Sequence, residues 1–337
     1  MPASIVGRMR FLVLGGTSFV GRHIVEAALD AGPQVTLFNR GRTNPGLFDQ
    51  CDQRHGDRKV GDYDSLRDGE WDAVIDVNAY WPRAVREVVA ALGARVGHYT
   101  YISTCSVYAE PGEGPVDESH PLATVTDPTT EDVDGETYGG LKALCEGEAA
   151  LAFPGQCTVI RPGIVAGPHD PTDRFTYWVR RASRGGTVLA PNRRDQPVQV
   201  VHARDQADFI VSATAAGLDG PFNTVGPSEP LTFATMIEAC AAAAGTSVEV
   251  AWVDEPFLRE RETHVPLYIP SGMGIDGLFR CSPAKAESHG FRNRPIVETA
   301  ADTLAWDRTR DQSVPMAGVP TPEEEARLIA DWRAVSS

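Results

Sequence analysis

Arg10-Phe11-Leu12-Val13-Leu14 is a short apolar run that leads straight into Gly15-Gly16-Thr17-Ser18-Phe19-Val20-Gly21. A strand that ends in a glycine-rich turn and reopens as a helix leaves few folds available. The glycines let backbone approach a pyrophosphate closely. The helix N-terminus then faces it with free N–H groups and the positive end of its dipole. Gly15 and Gly21 suit that geometry, while Ser18 stands where a middle glycine is usual and offers a hydroxyl instead. A tight strand-to-helix turn without a ligand is the plain alternative.

Beyond Gly21 the chain keeps the same alternation. Helical patterns over 20–31, 83–92 and 138–151 separate strand-like runs at 34–38, 71–77, 98–103 and 157–161, with an irregular stretch around Gly56-Asp57-Arg58. This order predicts a parallel sheet covered on both faces by helices, right-handed crossovers, and a ligand beyond the carboxyl ends of the strands. After Arg161 the texture changes. Residues 162–174 read as a loop and 175–183 as a helix broken by Gly185-Gly186. A strand at 198–201 precedes helices at 205–216 and 232–244, the latter closed by Gly245. Residues 256–277 are irregular, and the last helices are 296–306 and 322–334. The expected fold is α/β, a doubly wound parallel sheet over 9–165 and 197–222. A smaller, discontinuous C-terminal substrate lobe takes 166–196 and 223–334, with a cleft between the two. A chain of 337 residues has room for both.

Charge argues about partners. With Lys plus Arg at 31 against Asp plus Glu at 46, the net charge of −15 repels polyanions and disfavours nucleic acid. The six cysteines are scattered without zinc-like spacing, so no metal is expected; they read as small buried hydrophobes of a reducing compartment. Residues 1–10 lack a signal-peptide core, and no window approaches the roughly 20 apolar residues of a membrane span. A cytoplasmic location is the expectation, with a short mobile extension before Met9.

The second strand runs into Asn39-Arg40-Gly41-Arg42. An acid at that point would bind the ribose 2′-hydroxyl of NAD; here there is none, and the forks of Arg40 and Arg42 suit a 2′-phosphate. NADP is therefore preferred over NAD, solvated loop charges being the alternative. Asp57-Arg58 sits where an aspartate can reach the adenine, and Val77-Asn78-Ala79 ends a strand beside the cofactor. Either is equally readable as a mere turn or strand end.

Tyr138-Gly139-Gly140-Leu141-Lys142 places a phenol and an ammonium one helical turn apart, on one face. Proton transfer from a carbinol needs a base, and a phenol with a pKa near ~10 is too weak by itself. A nearby lysine and a positive nicotinamide ring favour the phenolate. Lys142 supports the phenol and reaches a ribose hydroxyl. Thr104, closing the strand that contains Tyr101-Ile102-Ser103, donates to the substrate oxygen and holds it near Tyr138.

Together these motifs resemble the extended short-chain dehydrogenase/reductase superfamily, in its NAD(P)-dependent epimerase/dehydratase branch, and imply a Rossmann-like fold. Leu14–Gly21 is similar to the family's glycine motif, Ser18 departing from it. Ser103-Thr104-Cys105-Ser106-Val107-Tyr108 resembles its hydroxyl motif, and Tyr138 with Lys142 its catalytic pair. Arg161-Pro162-Gly163-Ile164-Val165-Ala166-Gly167-Pro168 is similar to the link between sheet and substrate lobe, which adds Pro162 and Ile164 to the cofactor residues. Val201-His202-Ala203-Arg204-Asp205 is similar to a later strand-to-helix junction.

Departures from the family narrow the chemistry. The 4,6-dehydratases of the family carry acids directly after the active Thr; Cys105 and Ser106 stand there, so dehydration is not expected. Nucleotide-sugar members often have Asn at the position of Ile164 and an Arg-Arg-x-Gly-Asp clamp, neither present here. Arg180, Arg181, Arg184, Arg193 and Arg194 offer another anion site, though basic helix faces are usually solvated. Gly167-Pro168-His169 resembles a segment that supplies an acid/base histidine in some members; a polar loop residue at the cleft mouth is the simpler reading. Trp81, Tyr108, Phe175, Tyr177, Trp178 and Tyr268 can line the pocket or fill the core.

The expected activity is hydride transfer at a secondary alcohol or ketone of a polar, sugar-like or polyol-like small molecule. An epimerase with tightly held cofactor is the first alternative. The Gly-Gly-Thr-x-Phe-Val-Gly opening also resembles chloroplast stem-loop RNA-binding proteins of this fold, a non-catalytic alternative. The resemblance further implies a homodimer packed through helices 83–92 and 141–151.

Overall fold

The computed structural model describes Val6 and residues 8–336. The extension expected before Met9 lies largely outside the described residues, but Val6 is buried and its carbonyl accepts the Met9 N–H at 3.0 Å. The strands are β1 (Arg10–Leu14), β2 (Gln34–Asn39), β3 (Asp52–His55), β4 (Trp71–Asp76), β5 (Val96–Ile102), β6 (Cys157–Pro162), β7 (Ile164–Ala166) and β8 (Gly186–Pro191). They continue with β9 (Pro197–Val198), β10 (Val200–His202), β11 (Gly220–Thr224), β12 (Leu231–Thr232) and β13 (Val248–Val253).

Seven of them form one parallel sheet in the order β11-β6-β5-β4-β1-β2-β3. The order reverses at β1, where Leu14 pairs with Phe38 of β2 on one side and Asp76 of β4 on the other. A crevice opens beyond the carboxyl ends of strands at such a switch point.

Residues 11–14 of β1 are buried on both faces, which is why the strand reads as a continuous apolar run and not as an alternation. Phe11 and Val13 pack with Ile24, Val25 and Ala28 of the helix Phe19–Ala31 and with Ala207 and Ile210 of the helix Ala203–Ala216. Leu12 and Leu14 face the other layer, formed by Val85 and Val88 of the helix Pro82–Leu92 and by Cys145 and Ala149 of the helix Tyr138–Ala152. The period-two alternation of β1 thus feeds two separate helix layers.

A second core gathers around Phe175, Trp178, Phe233, Met236 and Ile237, between the parallel pair β8–β13 and the helices Thr176–Ser183, Phe233–Ala244, Ile296–Asp307 and Pro322–Val335. Arg180 reaches Asp307 at 2.8 and 2.5 Å, and Arg181 reaches Glu325 at 2.5 Å, all four side chains being buried. The basic face expected to be solvated is instead the inner face, neutralised by these buried carboxylates.

Several strands escape a sequence reading. β3 is Asp52-Gln53-Arg54-His55, polar throughout, because it is a sheet edge with little to bury. β11 opens with Gly220-Pro221, a turn signal, and an edge strand tolerates that proline. β7 falls in the expected 162–174 loop and pairs with β10, half of the single strand expected at 198–201. β8 and β13 also lie in stretches without a strand signal strong enough to read. Among the described residues no helix is long and apolar enough to cross a membrane, and all six cysteines are buried and free.

Candidate active site

The carboxyl ends of β1, β2, β4, β5 and β6 open onto one cleft of about 780 Å³. Its first wall is the glycine turn. Gly15 and Gly16 take φ of 115° and 95°, which side chains disfavour, and the Gly15 N–H donates to Phe38 O at 2.9 Å. A Cβ on Gly21 would stand 2.7 Å from the Gly16 nitrogen, so the helix rests flush on the turn only because Gly21 has none. Ser18 is the N-cap, its hydroxyl caps no N–H, and no acid occupies the first turn. The positive helix end and a free hydroxyl both stay available to an anion.

At the far end of this wall, Asn39 accepts the Gly41 N–H at 2.7 Å while its buried Nδ2 has no partner. The buried Nε of Arg58 is also without one. Two orphaned donors beside a glycine cradle fit an oxygen-rich dinucleotide. Arg40 and Arg42 are exposed, line the cleft, and form no ion pair among the described residues.

Gly15, Thr17, Ser18, Phe19, Val20, Gly21, Asn39, Arg40, Arg42, Asp57, Arg58, Val77, Asn78, Pro162 and Ile164 all line the cleft. One of the expected cofactor residues needs correction. Ala79 is fully buried and off the cleft wall; its carbonyl accepts the Tyr101 hydroxyl at 2.8 Å and the Lys142 ammonium at 3.0 Å. Arg58 spends its fork below the floor, on both oxygens of Asp76 and on Asn78 Oδ1 at 3.0 Å, leaving only Nε uncommitted. Asp57 reaches the cleft while capping its own turn through the Lys59 N–H at 3.0 Å.

The catalytic end depends on two glycines between the tyrosine and the lysine. A Cβ on Gly139 would collide with Ser106 O, and one on Gly140 would lie 2.7 Å from the Thr124 carbonyl carbon. Their absence lets the helix Tyr138–Ala152 press against the end of β5. Thr104 then lines the cleft together with Tyr138, accepts the Ser106 N–H at 3.1 Å and donates to Ser106 Oγ at 3.2 Å. Burial pushes the phenol above its ordinary pKa, and the nearby Thr104 hydroxyl and Arg174 oppose that rise.

Lys142 is 2% exposed, and its Nζ donates to Ile102 O at 2.6 Å as well as to Ala79 O. It sits 4.3 Å from the centroid of the Tyr101 ring. Burial lowers its pKa to about 8, against the pull of Cys145, Asp76 and Glu146. The expected phenol–ammonium contact is therefore not a direct one here: two of the three ammonium hydrogens hold the carbonyls of Ala79 and Ile102, and one remains.

A buried support lies behind these groups. Glu146 accepts the Ser103 hydroxyl at 2.5 Å and both arms of Arg161, at 3.0 and 2.6 Å. This joins the ends of β5 and β6 to the helix of Tyr138. No local motif announces it, since Glu146 lies two turns beyond Tyr138 and its partners come from separate strands.

On the substrate side the walls are Tyr80, Trp81, Ile269, Leu278 and Phe279, with Ser106, Thr172 and Arg174 as polar groups. Of the aromatic residues named from sequence, only Trp81 lines the cleft; Tyr108, Phe175, Tyr177 and Trp178 are core. Tyr80 joins them without a motif of its own, although it follows Val77-Asn78-Ala79 directly, and its ring lies 6.3 Å from that of Tyr138. Arg193 is held by Asp276 at 2.6 Å, and Arg194 lies over the Trp252 ring, away from the cleft. His169 takes φ of 69° and packs against Trp306 and His23 in a separate side cavity of about 240 Å³ behind Ser18 and Phe19. Cys105 turns inward, its Sγ 3.3 Å from Arg161 O.

The model of the NAD dependent epimerase/dehydratase family matches residues 68–226. The structure is similar to UDP-glucose 4-epimerase from Thermus thermophilus, solved with NAD, at 22% identity over 89% of this chain and 99% of that one, with a TM-score of 0.61. It is also similar to dTDP-glucose 4,6-dehydratase from Bacillus anthracis str. Ames, solved with NAD, at 15% identity over 90% and 98%, with a TM-score of 0.66. In sequence, the chain is 29% identical over 256 residues to the chloroplast stem-loop binding protein of 41 kDa b from Arabidopsis thaliana. That match takes in 70% of this chain and 63% of the relative, less than two thirds of the relative's length.

Proposed function

Because residues 68–226 belong to the NAD dependent epimerase/dehydratase family, we propose that the chain transfers hydride at a secondary alcohol or ketone of a small polar molecule, with NADP as its preferred cofactor. The observation that carries this reading is the convergence of Thr104, Tyr138 and Lys142 on the same cleft as the glycine turn. Gly15–Gly21 and Asn39 would hold the dinucleotide, with Arg40 and Arg42 on a 2′-phosphate. When bound, the nicotinamide supplies or accepts the hydride. The two domain spans expected from sequence are retained as part of this proposal, as are the homodimer and the cytoplasmic location.

The chain's own residues manage the proton. In reduction, Tyr138 Oη gives its proton to the carbonyl oxygen as the carbon gains hydride; in oxidation it takes the carbinol proton back. Thr104 Oγ1 donates to the same oxygen and fixes it against the phenol. Lys142 Nζ, anchored on Ala79 O and Ile102 O, has one hydrogen left for a ribose hydroxyl and raises the positive potential along the floor. Neither Cys105, which is buried, nor Ser106 is an acid that could assist loss of water.

The test is cofactor bookkeeping during turnover. A net reductase consumes NADPH one for one with product, whereas an epimerase turns over on bound cofactor without added supply. No hydride transfer with any ketone or polyol tried, in protein shown to bind cofactor, would count against the whole reading. The stem-loop binding relative favours a second reading, RNA recognition without catalysis. Against it stand the charge of −15 and the assembled Thr104–Tyr138–Lys142 site. Binding of a stem-loop RNA that persists at moderate salt and in Tyr138→Phe would support it.

A further inference from the structure

We propose that Arg174 anchors an anionic group of the substrate, a carboxylate or a phosphate, across the cleft from Tyr138. This deepens the oxidoreductase reading and rests on it.

Of the lobe arginines that form no ion pair among the described residues, Arg174 is the one that lines the cleft. Arg180, Arg181, Arg193, Arg294 and Arg310 are each closed on a carboxylate: Asp307, Glu325, Asp276, Asp205 and Asp173. Arg174 is exposed, lines the cleft with Tyr138, and makes one hydrogen bond, from Nε to Thr172 Oγ1 at 3.2 Å. Among the described residues its two terminal nitrogens have no partner. They present a planar fork that matches two oxygens of a carboxylate or phosphate.

The surrounding groups fix the arm without neutralising it. Asp173, next to it in the chain, is taken by both arms of Arg310, at 2.5 and 2.9 Å. Asp170 is 1% exposed, and Thr172 stands between it and Arg174, its Oγ1 donating to Asp170 Oδ1 at 2.7 Å. The Asp170 carboxylate still acts on Arg174 through space, and the Tyr138 and Tyr80 phenols are the remaining titratable groups on that side. Ile269, Leu278 and Phe279 supply apolar walls, which strengthen a charge pair by excluding water.

The other cations of the cleft lie elsewhere. Arg40, Arg42, Arg58 and Lys59 belong to the cofactor end, and Lys142 is buried in the floor. A single guanidinium on the substrate side suits one anionic group on a small hydroxy acid, keto acid or phosphomonoester. It does not suit a diphosphate clamp.

The experiment uses the full chain loaded with NADPH, as wild type, Arg174→Gln and Arg174→Lys. Two matched ketone pairs are the probes: acetoacetate against methyl acetoacetate, and hydroxyacetone phosphate against hydroxyacetone. Affinity is read by calorimetry and turnover by NADPH loss. In the wild type, the charged member of at least one pair should bind roughly tenfold or more tightly than its neutral partner, and the pair that responds tells carboxylate from phosphate. Arg174→Gln should reduce that preference to less than about twofold, Arg174→Lys should keep part of it, and cofactor affinity and Tm should not change. No binding of either charged probe, equal binding within both pairs, or a preference that survives Arg174→Gln overturns the proposal. Turnover without charge preference removes the anchor and leaves the oxidoreductase reading standing. Charge-selective binding that Arg174→Gln abolishes, without any hydride transfer, keeps the anchor and removes that reading.

Discussion

Arg58 closes on both oxygens of Asp76 beneath the cofactor cleft, Nη1 to Oδ1 at 2.8 Å and Nη2 to Oδ2 at 2.9 Å, with Asp76 fully buried. Tyr99 adds a third bond to the same carboxylate, at 2.6 Å. Arg58, expected beside the cofactor, is thus also a tie between the loop after β3 and the end of β4.

Asp76→Asn should destabilise the protein by about 3–5 kcal/mol, because it leaves the buried Arg58 charge without its counter-charge. Burial alone raises the Asp76 pKa, but the Arg58 charge and the bonds from Arg58 and Tyr99 outweigh it and hold the carboxyl below its ordinary value. The tie therefore contributes stability above the usual carboxylate range, and that contribution is lost as pH falls through the folded value. Urea midpoints measured from neutral to acid pH should show the gap between wild type and variant narrowing toward acid. A constant gap contradicts the assignment.

Tyr138→Phe removes the proton donor and leaves the ring. We expect kcat/KM to fall by roughly 10²–10⁴ with cofactor affinity unchanged. Thr104→Val should cost less, since Tyr138 still supplies the proton. Steady-state kinetics on one ketone and calorimetry with NADPH separate the two effects.

Lys142 is a lysine whose folded pKa, about 8, lies below its ordinary value because of burial. The folded state therefore holds that proton less tightly than the unfolded chain. This cost is full below the folded value and is relieved as pH rises through it toward the unfolded one. Wild type should gain stability relative to Lys142→Met between about pH 8 and pH 10. Parallel stability curves for the two proteins over that range would remove the claim.

Replacing Arg40 and Arg42 together by alanine should weaken NADP binding by roughly tenfold or more and leave NAD binding within about threefold, since only the 2′-phosphate loses its partners. Raising salt should mimic the double substitution in the wild type. Titrations that show NAD binding as tightly as NADP to the wild type would end the preference for NADP.

How much the sequence reveals varies with how local the feature is. The Gly15–Gly21 turn, the strands on either side of it and the Tyr138 helix are legible because each rests on a short pattern with a backbone cause. The pair Gly139-Gly140 is legible only as spacing; its purpose, to bring a helix against Ser106 O and the Thr124 carbonyl, requires the packed neighbours. β3 and β11 are hidden because edge strands carry polar or turn-like residues.

The sequence by itself determined the βαβ order, the dinucleotide cradle and the residues that can move a proton, because chain-local patterns encode backbone geometry. Only the tertiary structure decided how the charges are spent. It put Arg58 on Asp76, Lys142 on the carbonyls of Ala79 and Ile102, and Arg180 and Arg181 on Asp307 and Glu325. Those partners lie 18 to 144 positions away in the chain. A buried charge is set by whichever opposite group the fold brings within reach, and no local pattern carries that information. Arg174 remains the guanidinium on the substrate wall without a carboxylate contact because the fold gave Asp173 to Arg310.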